Sequence, residues 1–217
     1  MLIFTPQLVQ APMDVLAQII GKVDAVQVRP KGLGAESGSP SSAKECVDWA
    51  NRVLKAARPL GSDRPLILVN DRVDVAKSLL HNGVDGCHLG QDDTPWQLAR
   101  ELLGPDALIG LSTHSYEQVR RASDTTVDYL GFGPVFPTST KGLHKGNQSV
   151  QAWVASDSSP KPIFPIGGIT EHNAWQLSPI GRAAVASGVM CVPDPVRSIA
   201  AIRQVLTSRG SGKRQTP

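Results

Sequence analysis

Eight short β-rich runs alternating with amphipathic stretches, a length of 217 residues and the lack of any glycine-rich nucleotide fingerprint predict an α/β protein, a single-domain (βα)8 TIM barrel. The candidate strands are Leu2–Phe4, Ala25–Arg29, Leu66–Asn70, Gly86–Leu89, Leu108–Leu111, Asp128–Gly131, Pro162–Ile166 and Ala183–Ser187. Each is only a few residues long, as suits a barrel wall. An open doubly wound sheet usually has fewer strands and one glycine-rich switch point. Neither G-x-G-x-x-G nor G-x-x-x-x-G-K-[ST] occurs, which removes the usual grounds for a dinucleotide or P-loop site.

The helices between the strands follow from apolar spacing near 3.6 and from caps. Ser41 or Ser42 precedes a helix over Ala43–Ala57, and Asp71 opens a run to Leu80. Thr94-Pro95 opens Trp96–Leu103, with proline in the first turn, where an N–H would have no helical partner. Ser115 precedes Tyr116–Ala122 with Glu117 and Gln118 in its first turn, and Thr170 precedes Glu171–Leu177. Asp194-Pro195 starts Val196–Leu206. The glycine-, serine- and proline-rich segment 30–41 reads either as an insertion or as a cover over the barrel mouth, since it follows the second strand on the face where barrel active sites lie.

A hydrophobic share of 41% against 19% charged is that of a globular domain, and no apolar run approaches the about 18 residues of a membrane span. No membrane partner is expected. A net charge of +3 is mild, and part of it lies in 208–217, read as a disordered basic tail behind a catalytic barrel of residues 1–207. No nucleic-acid partner is expected either, because a basic footprint would carry interleaved aromatics or a known binding fold. Cys46, Cys87 and Cys191 are odd in number and lack C-x-x-C or Cys/His spacing, so all three read as plain buried or half-buried thiols. Met1-Leu2-Ile3-Phe4 has none of the parts of a secretory signal, which makes the cytoplasm the expected compartment.

The informative feature is where polar residues fall. Gln27 and Arg29 end the second strand, Asn70-Asp71 the third, His88 and Gln91-Asp92-Asp93 the fourth, and Ser112 with His114 the fifth. In a barrel these positions converge at one mouth. Singly, each has a bland reading: Asp71 as a helix cap, Asp92-Asp93 as a loop acid pair, Arg29 or Lys31 as a solvated charge. Their recurrence on successive strand ends is harder to explain by capping. Asp71 and Asp93 with Asn70 offer hard oxygen ligands suited to magnesium, which takes one or two carboxylates and completes its shell with phosphate and water. Arg29, Lys31 and Lys141 would repel one another unless an anion stood between them, and a diphosphate supplies such an anion.

The stretch from Gly131 to Gly142 carries Thr138-Ser139-Thr140-Lys141 between glycines and reads as an anion-contacting loop. Gly167-Gly168 and Ser187-Gly188 follow the seventh and eighth strands, where barrels build a phosphate site from backbone amides. A tight turn is the alternative for the glycine pair.

The full set resembles the thiamine phosphate synthase family. It comprises Gln27 to Lys31, Asn70-Asp71-Arg72, Gly86 to Asp93, Gly110 to His114, Gly131 to Lys141, Ile166 to Ile169 and Val185-Ala186-Ser187, in this order over most of the chain. The family joins hydroxymethylpyrimidine diphosphate to hydroxyethylthiazole phosphate, releasing pyrophosphate. The resemblance implies that Asp71 and Asp93 hold Mg2+, and that Arg29, Lys31, Asn70, Ser112 and Lys141 contact the diphosphate, with Arg29, Lys31, Ser112 and Lys141 as the catalytic set. It implies that Gln27 touches the pyrimidine, and that Thr138, Thr140, Gly168 and Ser187 serve the thiazole phosphate. It further implies a dissociative reaction in which pyrophosphate leaves before the thiazole nitrogen captures a pyrimidine-methyl cation. Pro30, the long 32–41 segment, Phe4-Thr5-Pro6 and the basic run 142–146 depart from the family pattern. A homo-oligomer is compatible with this reading.

Two alternatives stand beside it. A related thiazole tautomerase barrel would use His114 as a general acid/base. Retention of Asp93, of Arg29 with Lys31 and of the 138–141 motif speaks against it. A non-catalytic phosphometabolite-binding barrel is the other, and the sequence carries no partner motif that would single it out.

Overall fold

Among the described residues seven strands pair side by side in chain order, all parallel: β1 (Leu2–Phe4), β2 (Ala25–Val28), β3 (Leu66–Asn70), β4 (Gly86–Leu89), β5 (Leu108–Thr113), β6 (Tyr129–Phe132) and β7 (Ile163–Pro165). The computed structural model describes residues 1–31, 41–138 and 149–208. Helices α1 (Pro12–Ile19), α2 (Ala43–Ala57), α3 (Val73–Leu79), α4 (Trp96–Leu103), α5 (Tyr116–Ser123), α6 (Ser149–Ser158), α7 (Ser187–Met190) and α8 (Pro195–Thr207) surround the curled sheet, giving a TIM-like α/β fold. Most of the expected cover, 32–40, and of the expected tail, 209–217, lies outside the described residues.

Parallel strands covered on both faces are buried along their length, and β2, β4 and β6 are buried at every position. The two-residue period of a strand then sorts the side chains. Val26, Val28, Val69, Cys87, Leu89, Ile109, Leu130 and Phe132 join one hydrophobic cluster with Leu54 of α2, Ala76 of α3 and Ala99 of α4. The alternate positions Gln27, Asn70, His88, Ser112 and Tyr129 instead line a cavity within the curl. The helix-facing positions are thus apolar, and the inward ones mix these polar groups with Ile3 and Phe164.

The eighth expected strand, Ala183–Ser187, is a correction. Residues 183–185 lie between β7 and β1 but contribute single parallel bridges, Ala184 to Ile166 and Val185 to Leu2. Hydrogen bonds run from Ala184 N to Pro165 O (2.8 Å) and from Ile3 N to Val185 O (2.8 Å). The backbone leaves the extended region at Ala186 (φ −112°, ψ −95°) and enters α7 at Ser187, so too few extended residues remain for a strand.

The caps at Ser42, Ser115 and Asp194 form as expected, each accepting from the N–H three residues on at 3.2, 3.3 and 2.9 Å. Other elements differ. Asp71 does not cap a helix: it takes a left-handed φ of 62°, and α3 begins two residues later. Pro95 sits at the cap position of α4 rather than within its first turn. The expected helix Glu171–Leu177 is only a 3-10 turn over Ala174–Leu177. Asn173 accounts for that, because its side chain accepts the Thr170 N–H (2.8 Å) and donates to Gly168 O (2.8 Å), replacing a helical first turn.

At the opposite rim Asp85 accepts the Ile67 N–H (2.6 Å) and both Arg64 terminal nitrogens (2.7 and 2.9 Å). Asp128 likewise accepts the Ile109 N–H (2.7 Å) and Arg100 Nη2 (2.7 Å). These carboxylates tie β3 to β4 and β5 to β6 at their starts, away from the cavity mouth.

The cysteines are free thiols, as expected, but only Cys46 and Cys87 have the burial expected of all three. Burial raises Cys46 to about 11 and Cys87 to about 12, so both stay protonated and shielded at neutral pH. Cys191 is exposed. One thiol per native chain is therefore expected to react with a chromogenic disulfide at pH 8, and all three after denaturation. Native labelling of Cys87, read by mass spectrometry, would contradict the packing of β4 against the helices.

Candidate active site

A cavity of roughly 430 Å3 opens at the carboxyl ends of the strands and runs into the curl. Of the residues expected at the site it is lined by Gln27, Arg29, Asn70, Ser112, Thr138, Gly168 and Ser187, drawn from six parts of the chain. Asp71, Asp93 and Lys31 are not among its lining residues. Thr140 and Lys141 lie outside the described residues.

Gln27 is 2% exposed, and its Nε2 has no hydrogen-bond partner among the described residues. An orphaned buried amide costs about 1–3 kcal/mol, and this one belongs to a residue on the cavity wall. Arg29 extends the β2 ladder by one bond, its N–H donating to Phe4 O at 2.8 Å. Burial lowers the Arg29 pKa, opposed by the carboxylate of Asp71. Burial also lowers Lys31, and the Arg29 charge adds to the effect. These two cations are therefore held close to each other with Asp71 nearby. An anion entering between them would relieve their repulsion.

The backbone of Lys31 is clamped by Gln7, whose Oε1 accepts the Lys31 N–H (3.0 Å) and whose Nε2 donates to Lys31 O (2.8 Å). Gln7 also donates to Glu45 Oε1 at 3.1 Å. The sequence carries no local mark of this support, because the contact spans 24 residues.

Asn70 pairs in register with His88, and the next N–H, that of Asp71, donates to His88 O at 2.8 Å. The left-handed turn at Asp71 ends the strand, with its backbone bonded to β4. After β4, Asp93 Oδ2 accepts the Gly90 N–H at 2.6 Å, closing a tight loop. Gln91 Nε2 then reaches across to Ser112 O at 2.5 Å, tying that loop to β5. The two acids therefore follow neighbouring strands on the same end of the sheet. Among the described residues no group of three or more His, Cys, Asp or Glu side chains is placed to hold a metal.

On the far wall Gly167 and Gly168 have φ of 100° and 62°. A Cβ on Gly168 would lie 2.4 Å from Pro137 O, so glycine is needed for the loop after β6 to pack over it. Asn173, through its bond to Gly168 O, fixes the orientation of that peptide. His114, the candidate base of the tautomerase alternative, donates from Nδ1 to Gly133 O at 2.6 Å.

Polar side chains from successive parallel strands, gathered in one cavity at the carboxyl ends of a TIM-like sheet, define an enzyme site. Residues 1–190 match the family model described as thiamine monophosphate synthase. The chain belongs to that family, whose members make it an enzyme of the transferase type. It is 38% identical over 197 residues to the thiamine-phosphate synthase of Mycobacterium sp. strain KMS, covering 89% of this chain and 84% of the relative. It is 40% identical over 182 residues to that of Acidothermus cellulolyticus, covering 82% and 79%. The solved thiamine phosphate pyrophosphorylase from Pyrococcus furiosus superposes with a TM-score of 0.75 at 26% identity over 94% of each chain. A 3-hexulose-6-phosphate synthase from Salmonella typhimurium, at 14% identity and a TM-score of 0.63 over 96% of this chain and 98% of that one, shares the fold alone. No helix among the described residues is long and apolar enough to cross a membrane.

Proposed function

We propose that the chain condenses hydroxymethylpyrimidine diphosphate with hydroxyethylthiazole phosphate, forming thiamine phosphate and pyrophosphate. The observation that carries this reading is one cavity lined by an orphaned amide at Gln27, a buried cation at Arg29 and the glycine wall at Gly167-Gly168. The amide suits the hydrogen-bonding edge of a pyrimidine. Arg29, with Lys31 close to it, suits the diphosphate, and the backbone of Gly168 and Ser187 with Thr138 suits the thiazole phosphate. We read the bridges at Ala184 and Val185 as the eighth stave that closes the barrel around these groups.

Asp71 and Asp93 fit magnesium in donor type and number, since this ion is commonly bound by one or two carboxylates and substrate phosphates. When bound, Mg2+ would neutralise charge on the diphosphate oxygens. The residues of the chain do the rest. Arg29 and Lys31 stabilise the negative charge that grows on the departing pyrophosphate, with Lys141 assigned to the same oxygens. The walls hold the thiazole nitrogen against the pyrimidine methylene, so that it captures the cation left behind. No general base is required, consistent with His114 being engaged through Nδ1 to a backbone carbonyl.

The test is pyrophosphate release from the pyrimidine diphosphate, measured with and without the thiazole phosphate and magnesium. Thiamine phosphate formation that depends on all three supports the reading. Thiazole isomerisation alone, or binding of either substrate without turnover, refutes it. A finer prediction concerns Gln27→Met. Loss of the amide should raise the KM for the pyrimidine diphosphate about tenfold. The melting temperature should not fall, because an unsatisfied buried donor has been removed. A large drop in melting temperature with unchanged KM would make Gln27 a structural residue.

A further inference from the structure

His88 and Tyr129 have no part in the transfer just described, yet both are buried and both line the cavity. His88 Nδ1 lies 3.0 Å from the Tyr129 hydroxyl, and Nε2 lies 2.9 Å from Ser112 Oγ. The three residues come from neighbouring strands, β4, β5 and β6, and form one chain of hydrogen bonds across the inner face of the sheet. Burial pushes the Tyr129 phenol well above its ordinary range, so the hydroxyl keeps its proton.

The polarity of this chain follows from counting protons. Among the described residues the Tyr129 hydroxyl has one hydrogen-bond partner, His88 Nδ1. A buried donor left without an acceptor is costly, so the phenol donates to Nδ1. A proton on Nδ1, in the other tautomer or in the imidazolium, would make the phenol oxygen the acceptor and leave its hydrogen without a partner among the described residues. A neutral ring with its lone pair on Nδ1 carries its proton on Nε2 and donates to Ser112 Oγ. A serine hydroxyl that already accepts from the ring has its own O–H to give elsewhere, and Ser112 faces the cavity.

We propose that Tyr129 and His88 are positioning residues that hold the Ser112 hydroxyl as a hydrogen-bond donor toward an anionic oxygen in the cavity. The proposal rests on the diphosphate reading of that cavity. Diphosphate oxygens only accept hydrogen bonds. A Ser112 hydroxyl donating to His88 would turn its lone pairs toward the anion, whereas the relay turns its hydrogen there. Space for the relay is cut by two glycines. A Cβ at Gly110 would fall 2.1 Å from Tyr129 Cζ, and one at Gly131 would fall 3.2 Å from His88 Cε1.

The experiment is nitrogen-detected NMR of the histidine rings in the full chain, with the His88 signals assigned by their loss in H88Q, combined with kinetics of Y129F, S112A and the double variant. The expected result is a His88 ring protonated at Nε2 in the parent chain, with an Nδ1–H form growing in when Tyr129→Phe removes the donor. Y129F and S112A should each lower kcat about tenfold with little change in KM, and the double variant should be no slower than S112A. Retention of the parent's melting temperature in Y129F separates this from a packing defect. An Nδ1–H or doubly protonated His88 in an active parent chain overturns the relay alone, as does a full-rate Y129F or a double variant whose losses multiply. A parent chain with the Nε2–H ring but no pyrophosphate release supports the relay and refutes the transfer reading instead.

Discussion

Replacing Asp71 with glycine is expected to lower the rate of pyrophosphate release by about 10^2 to 10^3-fold while leaving the melting temperature unchanged or raised. The two halves of this prediction come from different properties of one residue. The backbone at Asp71 sits at φ 62°, the one described residue other than glycine with a positive φ. A side chain there costs about 1 kcal/mol or more, which glycine does not incur. Loss of the carboxylate also removes the charge that offsets burial of Arg29, and this opposes the gain. Strain of this kind persists where the surroundings hold it for a purpose, and the purpose we propose is a hard oxygen ligand for magnesium. Asp71→Asn should lose as much activity, because it keeps the size and the tolerance of a left-handed turn but not the charge. The magnesium concentration for half-maximal rate should rise in both variants. D71G turning over within threefold of the parent would remove Asp71 from the reaction. A melting temperature lower by more than about 5 °C would mean that the turn depends on the aspartate itself.

Much of this site could be read from the chain because strand ends and site coincide. A polar residue following a run of buried aliphatics has few places to go in a parallel sheet, and Gln27, Arg29, Asn70 and Ser112 all reach the cavity wall. The alternation of strands and helices was equally plain, and the strand limits at Leu2–Phe4, Leu66–Asn70 and Gly86–Leu89 agree with the observed ones. What escaped was set by contacts distant in sequence or by backbone conformation. Gln7 clamps Lys31 across 24 residues, and Asn173 turns the chain where a helix was expected. Helix α6 escaped because Val150, Ala152, Trp153, Val154 and Ala155 cluster instead of recurring at a helical period. Helix α1 escaped because its cap position is Ala11, with no side-chain cap to announce it. The interior relay was invisible for a different reason. Tyr129 and His88 look like separate strand residues until the register sets His88 and Tyr129 on either side of Gly110.

That register underlies the largest expected effect on stability, Gly110→Ala. Glycine inside a strand ordinarily weakens it, so alanine would be expected to help. Here the added methyl would stand 2.1 Å from Tyr129 Cζ, 2.4 Å from its hydroxyl oxygen and 2.5 Å from His88 Nδ1. Neither ring has room to retreat. Tyr129 packs edge-on against Phe164 with centroids 5.6 Å apart, and His88 is bonded to Ser112 on its far side. Overpacking of this severity costs about 3 kcal/mol, and roughly 6–12 °C in melting temperature for a chain of this size. Activity should fall with it, since the displaced imidazole no longer reaches the Ser112 hydroxyl. A compensating change separates this cause from a general strand defect. Tyr129→Leu removes the distal ring atoms that the methyl strikes, so G110A combined with Y129L should melt higher than additivity of the two single variants predicts. If G110A alone melts within about 2 °C of the parent, the close approach between β5 and the rings of its neighbours does not exist in solution.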